Sequence, residues 1–370
     1  MNRLCVDSNL YNCIFDENQK LSDLAKQYFV TISEYNSLYD EYMAFKNSRI
    51  GRILFSIRNF VFKFRRKKNC LKITNKMRMA WQKRHDFYIP YQAFGMKKKD
   101  FDSQLRISKA SAEPVKFSIL VPLYNTSEEF LKEMIASVLG QTYSNWELCL
   151  ADASDFEHEH VRLICEQIAK NDVRIKYKRI EKNLGISANT NECLKIASGD
   201  YFSLLDHDDI LHPAALFETY KMIESGADFI YSDELSFFSP NIHSIKFLFC
   251  KKDFLWEHLE VYNYICHFTT FSRKLLGDYV FDSDCDGAQD YDIILKLTER
   301  AKSIRHIKKI LYYWRVHPQS TAYSTDAKSY ASLAGKKTLE KHFLRTKQKV
   351  VVICSSSPCS YIVIRKDKNV

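Results

Sequence analysis

The chain has 370 residues, 46% hydrophobic and 27% charged, a composition that indicates a globular protein large enough for two domains. No run approaches the ~18 apolar residues of a transmembrane helix, and eleven scattered cysteines without a CxxC pair favour reduced thiols over a disulfide framework or a structural zinc site. The net charge of +10 is concentrated in residues 51–100, which hold 15 Lys and Arg against two acids, so a general nucleic-acid-binding protein is not indicated.

Residues 1–114 are predicted to form a helical, basic extension that ends near Pro114. Apolar residues recur at helical spacing over 21–45, and a second helix begins at Ile50 with cations beside its apolar face across 50–68. This second helix could lie in the headgroup region of an anionic membrane, or it could pack on the following domain with its charges in solvent. Because no secretory signal is apparent, we expect a cytoplasmic protein, peripheral on the inner face of the membrane if the helix binds lipid.

From Phe117 onward, predicted strands and helices alternate. The strands cover 117–121, 146–151, 175–178 and 201–205, with helices near 130–138 and 157–169 and a third that residues 183–189 open and that runs to about 197. The first helix is expected to begin with a capping box formed by Thr126 and Glu129. This βαβ alternation predicts an α/β protein, Rossmann-like, with a mainly parallel central sheet flanked by helices on both faces.

Polar side chains follow the predicted strands at their carboxyl ends, where open α/β sheets bind ligands in one shared crevice. These residues are Tyr124, Asn125, Asp152, Asp206, Asp208 and Asp209. The cluster of three carboxylates suits Mg²⁺ or Mn²⁺, which would bind the phosphates of a nucleotide, although such acids could also cap a helix before Pro213. The glycine-rich loops of dinucleotide-binding and P-loop proteins are missing, which favours a carboxylate-held metal.

The second half of the chain adds candidate acceptor-side chemistry. Further strands are predicted at 228–234, after 263–268 through Phe271, and at 310–315. Asp290 lies at the head of an apolar-periodic helix, where it could be a general base or simply stabilise the helix terminus. His317 follows the last of these strands as a metal ligand, a phosphate contact or a structural residue. Residues 347–370 are predicted to form a C-terminal β-hairpin after a domain spanning 115–346.

Eight motifs in order resemble the family 2 glycosyltransferases of the GT-A fold, close to bacterial enzymes of surface-polysaccharide synthesis such as rhamnosyl- and glucosyltransferases. The motifs are SILVPLYN at 118–125, QTY at 141–143, AD at 151–152, NLG at 183–185 with Asn189, LDHDD at 205–209, YSDE at 231–234, QDYD at 289–292 and WRVH at 314–317. They extend over a little more than half of the chain. Each motif is weak alone, but their order is specific.

The resemblance implies a role for each matching residue. Four would line the nucleoside pocket, namely Pro122, Tyr124, Asn125 and Asp152. Two would approach the nucleotide, Gly185 and Asn189, and Asp209 would face the donor sugar. Three would hold Mn²⁺ or Mg²⁺ at the donor diphosphate, namely Asp206, Asp208 and His317, with Asp206 also touching the nucleotide-sugar. Asp290 would be the catalytic base of an inverting single displacement.

The resemblance also implies the reaction: transfer of a single sugar from a UDP- or dTDP-linked donor to a saccharide or lipid-linked acceptor in cell-surface polysaccharide synthesis. The QxxRW motif of processive synthases is missing, which favours single additions. Two positions depart from the family pattern, because Ala153 follows Asp152 and Gln289 precedes Asp290 where relatives carry paired acids.

Two other interpretations use the same fold. A catalytically inactive transferase-like module could bind polysaccharide or organise a membrane assembly, although an intact set of Asp206, Asp208 and Asp290 argues against it. A nucleotidyltransferase that makes activated sugars would need a glycine-rich loop after Val121, which this chain lacks.

Overall fold

The structure is a computed structural model that describes residues 91–110, 115–240, 242, 245–317 and 325–365. The helices predicted over 21–45 and 50–68, and most of the basic extension, lie outside the described residues. A 3₁₀ turn at Tyr91–Phe94 and helix α1 (Lys98–Ala110) precede the sheet. No helix in this described part of the chain is long and apolar enough to cross a membrane.

The described residues are organised around a nine-stranded sheet of mixed direction. Its strands are β1 (Phe117–Leu123), β2 (Trp146–Asp152), β3 (Ile175–Arg179), β4 (Tyr201–Leu204), β5 (Ile210–Leu211), β6 (Phe229–Phe238), β7 (Ile245–Phe249), β8 (Thr269–Ser272) and β9 (Ile304–Val316). They are arranged in the order β3-β2-β1-β4-β8-β6-β9-β5, with β7 paired to β6. Strands β1 to β4 are mutually parallel, as are β6 and β9, whereas β8 is antiparallel to both of its neighbours. The predicted α/β class and GT-A type of mainly parallel sheet are therefore confirmed.

Helices cover both faces of the sheet. They are α2 (Glu128–Leu139), α3 (Glu159–Asn171), α4 (Ile186–Ile196), α5 (Ala215–Glu224), α6 (Trp256–Leu259), α7 (Arg273–Leu276), α8 (Gln289–Thr298) and α9 (Thr325–Arg345). Successive residues of a strand point to opposite faces. On β1, Ile119 therefore joins one buried cluster with α2, α3 and α5, whereas Leu120 joins the other with α4, α8 and α9.

The predicted capping box at the start of α2 is wrong. The cap is Ser127, whose hydroxyl accepts a hydrogen bond from the Phe130 amide at 3.4 Å, and the helix begins at Glu128. Asn125 adopts φ +50°, which turns the chain after β1 so that Ser127 takes the extended conformation of a cap residue. Thr126 is buried, and its hydroxyl has no hydrogen-bond partner within the described residues.

The C-terminal segment forms the predicted hairpin. Strands β10 (Val350–Cys354) and β11 (Tyr361–Arg365) are antiparallel and make a separate two-stranded sheet. Val352 and Tyr361 are buried in the same apolar cluster as residues of α9. The hairpin therefore packs beside α9 and does not extend the main sheet. The proposed limits of 115–346 and 347–370 stay a prediction.

Candidate active site

The turn after β4 places three carboxylates in different surroundings. Asp209 is fully buried, and its oxygens accept hydrogen bonds from the Tyr312 hydroxyl at 2.6 Å and the Arg315 amide at 2.7 Å. Burial, and then the nearby charges of Asp208 and Asp206, raise the pKa of Asp209 well above the ordinary value. The sequence predicted that Asp209 faces the donor sugar, but the structure turns its carboxylate into the protein, where it anchors the turn to β9.

Arg315 fixes the same turn from the other side. Its guanidinium is fully buried, and it donates to Glu133 Oε2 at 2.6 Å and to the Asp208 carbonyl at 2.5 Å. The guanidinium also lies over the rings of Phe130 and Phe237, with Cζ 4.4 and 4.9 Å from their centroids. A buried cation with paired and aromatic partners sets the turn rigidly, so Arg315 positions Asp208.

Asp208 and His317, two of the predicted metal ligands, are brought together. His317 Nε2 lies 2.9 Å from Asp208 Oδ2, and the imidazole packs on Phe130 with centroids 5.0 Å apart. Burial alone would raise the pKa of Asp208, but the hydrogen bond from His317 and the charges of His207 and His317 outweigh it, so that pKa is lowered.

Asp206, the third predicted ligand, has a partner that sequence reasoning missed. Its carboxylate is half-exposed, and Oδ2 lies 3.4 Å from His267 Nε2. His267 Nδ1 lies 3.2 Å from Glu234 Oε2, and the ring stacks on Tyr312 with centroids 4.6 Å apart. The ligand atoms of Asp206, Asp209 and His267 all lie within 4.8 Å of one another. His267 therefore connects the surface carboxylate to the interior.

The topology explains this position of His267. Strand β8 is antiparallel to β4 and β6 and lies between them. The amino end of β8 is therefore level with the carboxyl end of β4, which places His267 beside Asp206 in the turn after β4. A histidine at the entry of a strand was the only sequence signal, and it acquires meaning only once the strand order is known.

Lys251 compensates the buried charge behind His267. Its Nζ lies 3.0 Å from Glu234 Oε2, and it donates to the carbonyls of Ile265, at 2.5 Å, and His267. Burial raises the pKa of Glu234, but Lys251 and His267 outweigh that effect and lower it to about 2. Burial also opposes the charged imidazole, yet Cys266, Glu234 and Asp206 together raise the pKa of His267 well above its usual range. The interior side of the site is thus a charged network.

Asp290 lies in the first turn of α8 and faces that network. Its Oδ2 accepts from Asn263 Nδ2 at 2.9 Å and from the Cys266 thiol at 3.3 Å, and the same thiol lies 3.6 Å from His267 Nε2. Both partners lie outside α8, so the carboxylate makes tertiary contacts and not only contacts within its helix. Burial is the largest influence, and it raises the pKa of Asp290 above the ordinary aspartate value, as suits a general base.

The predicted nucleoside side begins with a buried carboxylate. Asp152 is fully buried at the end of β2, and its Oδ2 accepts from the Tyr177 hydroxyl at 2.8 Å and from Arg179 at 2.7 Å. Its Oδ1 accepts from the Ser154 amide at 2.9 Å. All of these bonds are internal, so in this structure Asp152 organises the pocket edge and presents no exposed surface to a base. Direct contact with a nucleoside stays a prediction.

The other three pocket residues follow along β1. Pro122 is half-buried within the strand, and the Tyr124 side chain is 45% exposed at its end, open to a ligand. Asn125 exchanges two hydrogen bonds with Asp155, donating from Nδ2 to Oδ2 at 2.7 Å and accepting at Oδ1 from the amide at 3.0 Å. This exchange holds the loops after β1 and β2 together, so the pocket edge is pre-formed.

Gly185 and Asn189 shape the start of α4. Gly185 adopts φ +96°, and a Cβ there would meet Asp286 Oδ2 at 2.1 Å, so only glycine fits. Asn183 Oδ1 accepts from the Gly185 amide and from Asn189 Nδ2, both at 3.0 Å. Asn189 is nearly fully buried, and its Oδ1 has no hydrogen-bond partner within the described residues. The glycine therefore admits a carboxylate, Asp286, which sequence reasoning had not assigned to this contact.

The carboxylates of the turn after β4 are the candidate ligands for a divalent cation. Among the described residues, the predicted set of Asp206, Asp208 and His317 does not converge on one point, because Asp206 groups with Asp209 and His267 whereas Asp208 pairs with His317. Carboxylate oxygens suit Mg²⁺ and Mn²⁺, whereas imidazole nitrogen is a more usual ligand of transition metals such as Fe²⁺ and Zn²⁺. A second group, Asp282, Cys285 and Asp292, also has converging ligand atoms. Lysine ammonium groups already neutralise two of its carboxylates at 2.6 and 2.5 Å, so it is an ion-pair cluster.

Comparison with known proteins bears on this arrangement. Residues 118–280 match the model of the family described as "Glycosyl transferase family 2". The chain is 39% identical over 250 residues to the uncharacterized protein y4gI of Sinorhizobium fredii, an overlap of 66% of this chain and 27% of that protein. It is 29% identical over 264 residues to the O-antigen biosynthesis protein RfbC of Myxococcus xanthus, 70% of this chain and 20% of that protein. The chain thus spans about a quarter of these relatives or less.

Two solved structures resemble the fold at low identity. Staphylococcus aureus TarS 1–349 in complex with UDP-GlcNAc aligns with a TM-score of 0.48 and 18% identity, covering 62% of this chain and 73% of that one. A mannosyltransferase from Pyrobaculum calidifontis in complex with GDP-Man and Mn²⁺ aligns with a TM-score of 0.46 and 13% identity, covering 69% and 73%.

Proposed function

Since residues 118–280 belong to glycosyl transferase family 2, we propose that this protein is an inverting, metal-dependent glycosyltransferase. It moves a single sugar from a UDP- or dTDP-linked donor to a saccharide or lipid-linked acceptor. The family match and a relative named for O-antigen biosynthesis support a role in cell-surface polysaccharide synthesis. A peripheral contact with the inner face of the membrane through residues 50–68 is part of the proposal.

Asp290 is proposed to remove the proton of the acceptor hydroxyl. Its oxygen Oδ2 keeps Asn263 and the Cys266 thiol as neutral donors, and neutral partners leave the carboxylate more basic than a lysine or arginine partner would. The raised pKa brings the base nearer to neutral pH, where proton transfer is more effective. The acceptor oxygen would then attack the anomeric carbon from the side opposite the leaving nucleoside diphosphate.

Asp206, Asp208 and His317 would hold the divalent cation. When bound, that cation neutralises the charge that develops on the leaving diphosphate. Arg315 and Asp209 keep Asp208 in place from within the protein, because the first binds the Asp208 carbonyl and the second anchors the turn. His267, held by Glu234, orients Asp206. The protein thus supplies a support behind the two carboxylate ligands, Asp206 and Asp208.

Tyr124 is the residue best placed to touch the nucleoside. It is half-exposed at the carboxyl end of β1, where the loops after β1 and β2 are tied by Asn125 and Asp155. Its ring would pack on the base or ribose, and the buried Asp152 would keep the pocket edge formed through Tyr177 and Arg179.

The observation that carries the proposal is one continuous series of contacts from the base to a metal ligand. Asp290 touches Cys266 at 3.3 Å, Cys266 touches His267 at 3.6 Å, and His267 touches Asp206 at 3.4 Å. The two acids come from separate parts of the sequence and are joined at the carboxyl ends of the sheet, where single-displacement chemistry needs a base beside a charge-neutralising group.

Calorimetric titration of the full chain tests the proposal. UDP, dTDP, GDP and CMP are titrated with Mn²⁺ and with EDTA, in the natural protein and in Asp208→Ala. We expect metal-dependent binding of UDP or dTDP that the substitution abolishes. Lack of binding by all four nucleotides would overturn the transferase proposal. Tight donor binding without sugar transfer to any acceptor would favour an inactive binding module.

A further inference from the structure

A row of aromatic rings leads out of the candidate site along one face of the sheet. In the register of β6, β7 and β9, Glu234 pairs with Phe249 and Tyr312, and Ser236 pairs with Phe247 and Trp314. Paired residues of neighbouring strands share a face. Phe247, Phe249, Trp314 and Tyr312 therefore lie on the face that carries Glu234, behind His267. We call Phe247, Phe249 and Trp314 the ring row.

The ring row runs from the buried centre to the solvent. His267 and Trp314 have centroids 5.7 Å apart, Trp314 and Phe249 6.3 Å, and Phe249 and Phe247 4.5 Å. Trp314 and Phe249 are half-buried, and Phe247 is 50% exposed on the edge strand β7. Exposure is therefore greatest at Phe247, the end of the row away from His267, as in a surface that guides a ligand toward a reaction centre.

We propose that the ring row is the acceptor subsite and that it takes an oligosaccharide, with the sugar that reacts near His267 and Asp290 and the preceding sugars on Trp314, Phe249 and Phe247. The inference rests on the proposed function and specifies its acceptor class. The acceptor is therefore a chain of at least two sugars and not a single sugar.

The chemistry of the surface favours a saccharide. One face of a pyranose ring carries C–H groups, which pack on the electron-rich face of an aromatic ring, while its hydroxyls need polar groups nearby. The ring row ends at such groups, because His267 contacts Asp206 and Glu234. The row is also continuous with the candidate base through the contact of Cys266 with His267 and with Asp290. A hydrocarbon chain would gain nothing from an end lined by charged groups.

Two neighbouring residues of β7 offer a matched comparison. Phe247 and Leu248 are 50% and 48% exposed, but they point to opposite faces of the strand. Leu248 pairs with Leu235, on the face away from the ring row. Removing either side chain from an exposed edge strand should change the free energy of folding by a similar amount. A difference in ligand binding between the two variants therefore comes from the face on which the side chain lies and not from a difference in stability.

The test measures saccharide binding by the full chain with UDP and Mn²⁺ present. Saturation-transfer NMR is recorded with methyl glycosides and matching disaccharides of glucose, galactose, rhamnose and N-acetylglucosamine. We expect a disaccharide of one series to bind more tightly than its monosaccharide, and Phe247→Ala to weaken the disaccharide by about 2- to 10-fold, the value of one aromatic contact. Leu248→Ala is expected to match the natural protein.

Several outcomes would overturn the inference. Equal effects of Phe247→Ala and Leu248→Ala would remove the role of the ring row, as would failure of every saccharide to bind while UDP still binds. If the affinity for alkyl glycosides rises with the length of the alkyl chain and does not depend on the number of sugars, the ring row binds lipid instead. A dimer in sedimentation that Phe247→Ala dissociates would indicate a second copy of the chain. If the natural protein does not bind UDP at all, the proposed function is overturned together with this inference.

Discussion

The buried carboxylates at the two ends of the central sheet differ in their partners and in the direction of their pKa shift. At the amino end, Glu147 is almost fully buried and lies 2.5 and 2.9 Å from the ammonium groups of Lys116 and Lys176. Burial opposes its charge, but those lysines and the hydrogen bonds of Ser198 and Ser118 outweigh it and hold the pKa of Glu147 well below its usual range. At the carboxyl end, the described side chains that donate to Asp290 are an amide and a thiol, and burial raises its pKa although the nearby charge of His267 lowers it.

This contrast separates a structural carboxylate from a reactive one. Fixed cations and several hydrogen bonds hold Glu147 as a permanent anion that ties β1, β2 and the start of β4 together. Neutral donors leave Asp290 able to take a proton. The partner type, and not burial, therefore distinguishes the two ends, because burial raises the pKa at both.

The largest expected effect is on turnover. Asp290→Asn keeps the shape of the side chain but removes the base, so we expect the rate of sugar transfer to fall by about 10²- to 10⁴-fold. The measurement is initial rate with a saturating donor. Nucleotide affinity is the control and should stay unchanged. Near-normal turnover would show that Asp290 is not the base, and Asp290 would then be a structural carboxylate like Glu147.

The second largest effect is expected from removal of the divalent cation. Asp208→Ala deletes a proposed ligand and the carboxylate that contacts His317, so we expect transfer to drop by roughly 10²-fold. Chelation with EDTA is expected to have the same effect. Re-addition of Mn²⁺ should restore the natural protein and not the variant. If EDTA changes nothing, the acids of the turn act without a metal.

At the amino end, the expected effect is on stability alone. Glu147→Gln leaves two lysines without their anion, so we expect the free energy of unfolding to fall by about 1–3 kcal/mol in urea titrations. Because the folded pKa of Glu147 is lowered, its contribution is present above the unfolded pKa and is lost only as the pH falls through the folded value. A loss of donor affinity as large as that of Asp208→Ala would refute a purely structural role.

The smallest effect concerns the pH dependence of the reaction. Because the pKa of Asp290 is raised, the acid limb of kcat/KM should lie above the ordinary range for aspartate. The Cys266 thiol lowers that pKa, so Cys266→Ala should move the limb slightly further toward higher pH. The pH–rate profile of both proteins checks the direction. If the acid limb does not move in Cys266→Ala, another group titrates there. A shift of the limb toward lower pH would contradict a hydrogen bond from the Cys266 thiol to Asp290.

Local sequence patterns located most of the architecture. The alternation of apolar runs and amphipathic helices gave β1 to β4 in the right places, because parallel strands are buried on both faces and read as continuous apolar runs. Their ends deviated by a residue or two, and the cap of α2 was assigned one residue early, since Thr126 and Ser127 are chemically alike and only the turn at Asn125 selects between them. Residues 235–262, for which no strand or helix is predicted, hold the end of β6, then β7 and α6.

The sequence by itself determined which acids follow which strands, and hence that Asp206 and Asp208 belong to one end of an α/β sheet, whereas the place of Asp290 rested on the family resemblance. Only the tertiary structure decided what each of them faces. His267 reaches Asp206 because β8 lies antiparallel between β4 and β6, and Asp209 turns inward because Tyr312 and Arg315, about a hundred residues later, offer donors there. Such partners are set by strand order and by burial, which act between residues that are distant along the chain, so no local pattern encodes them.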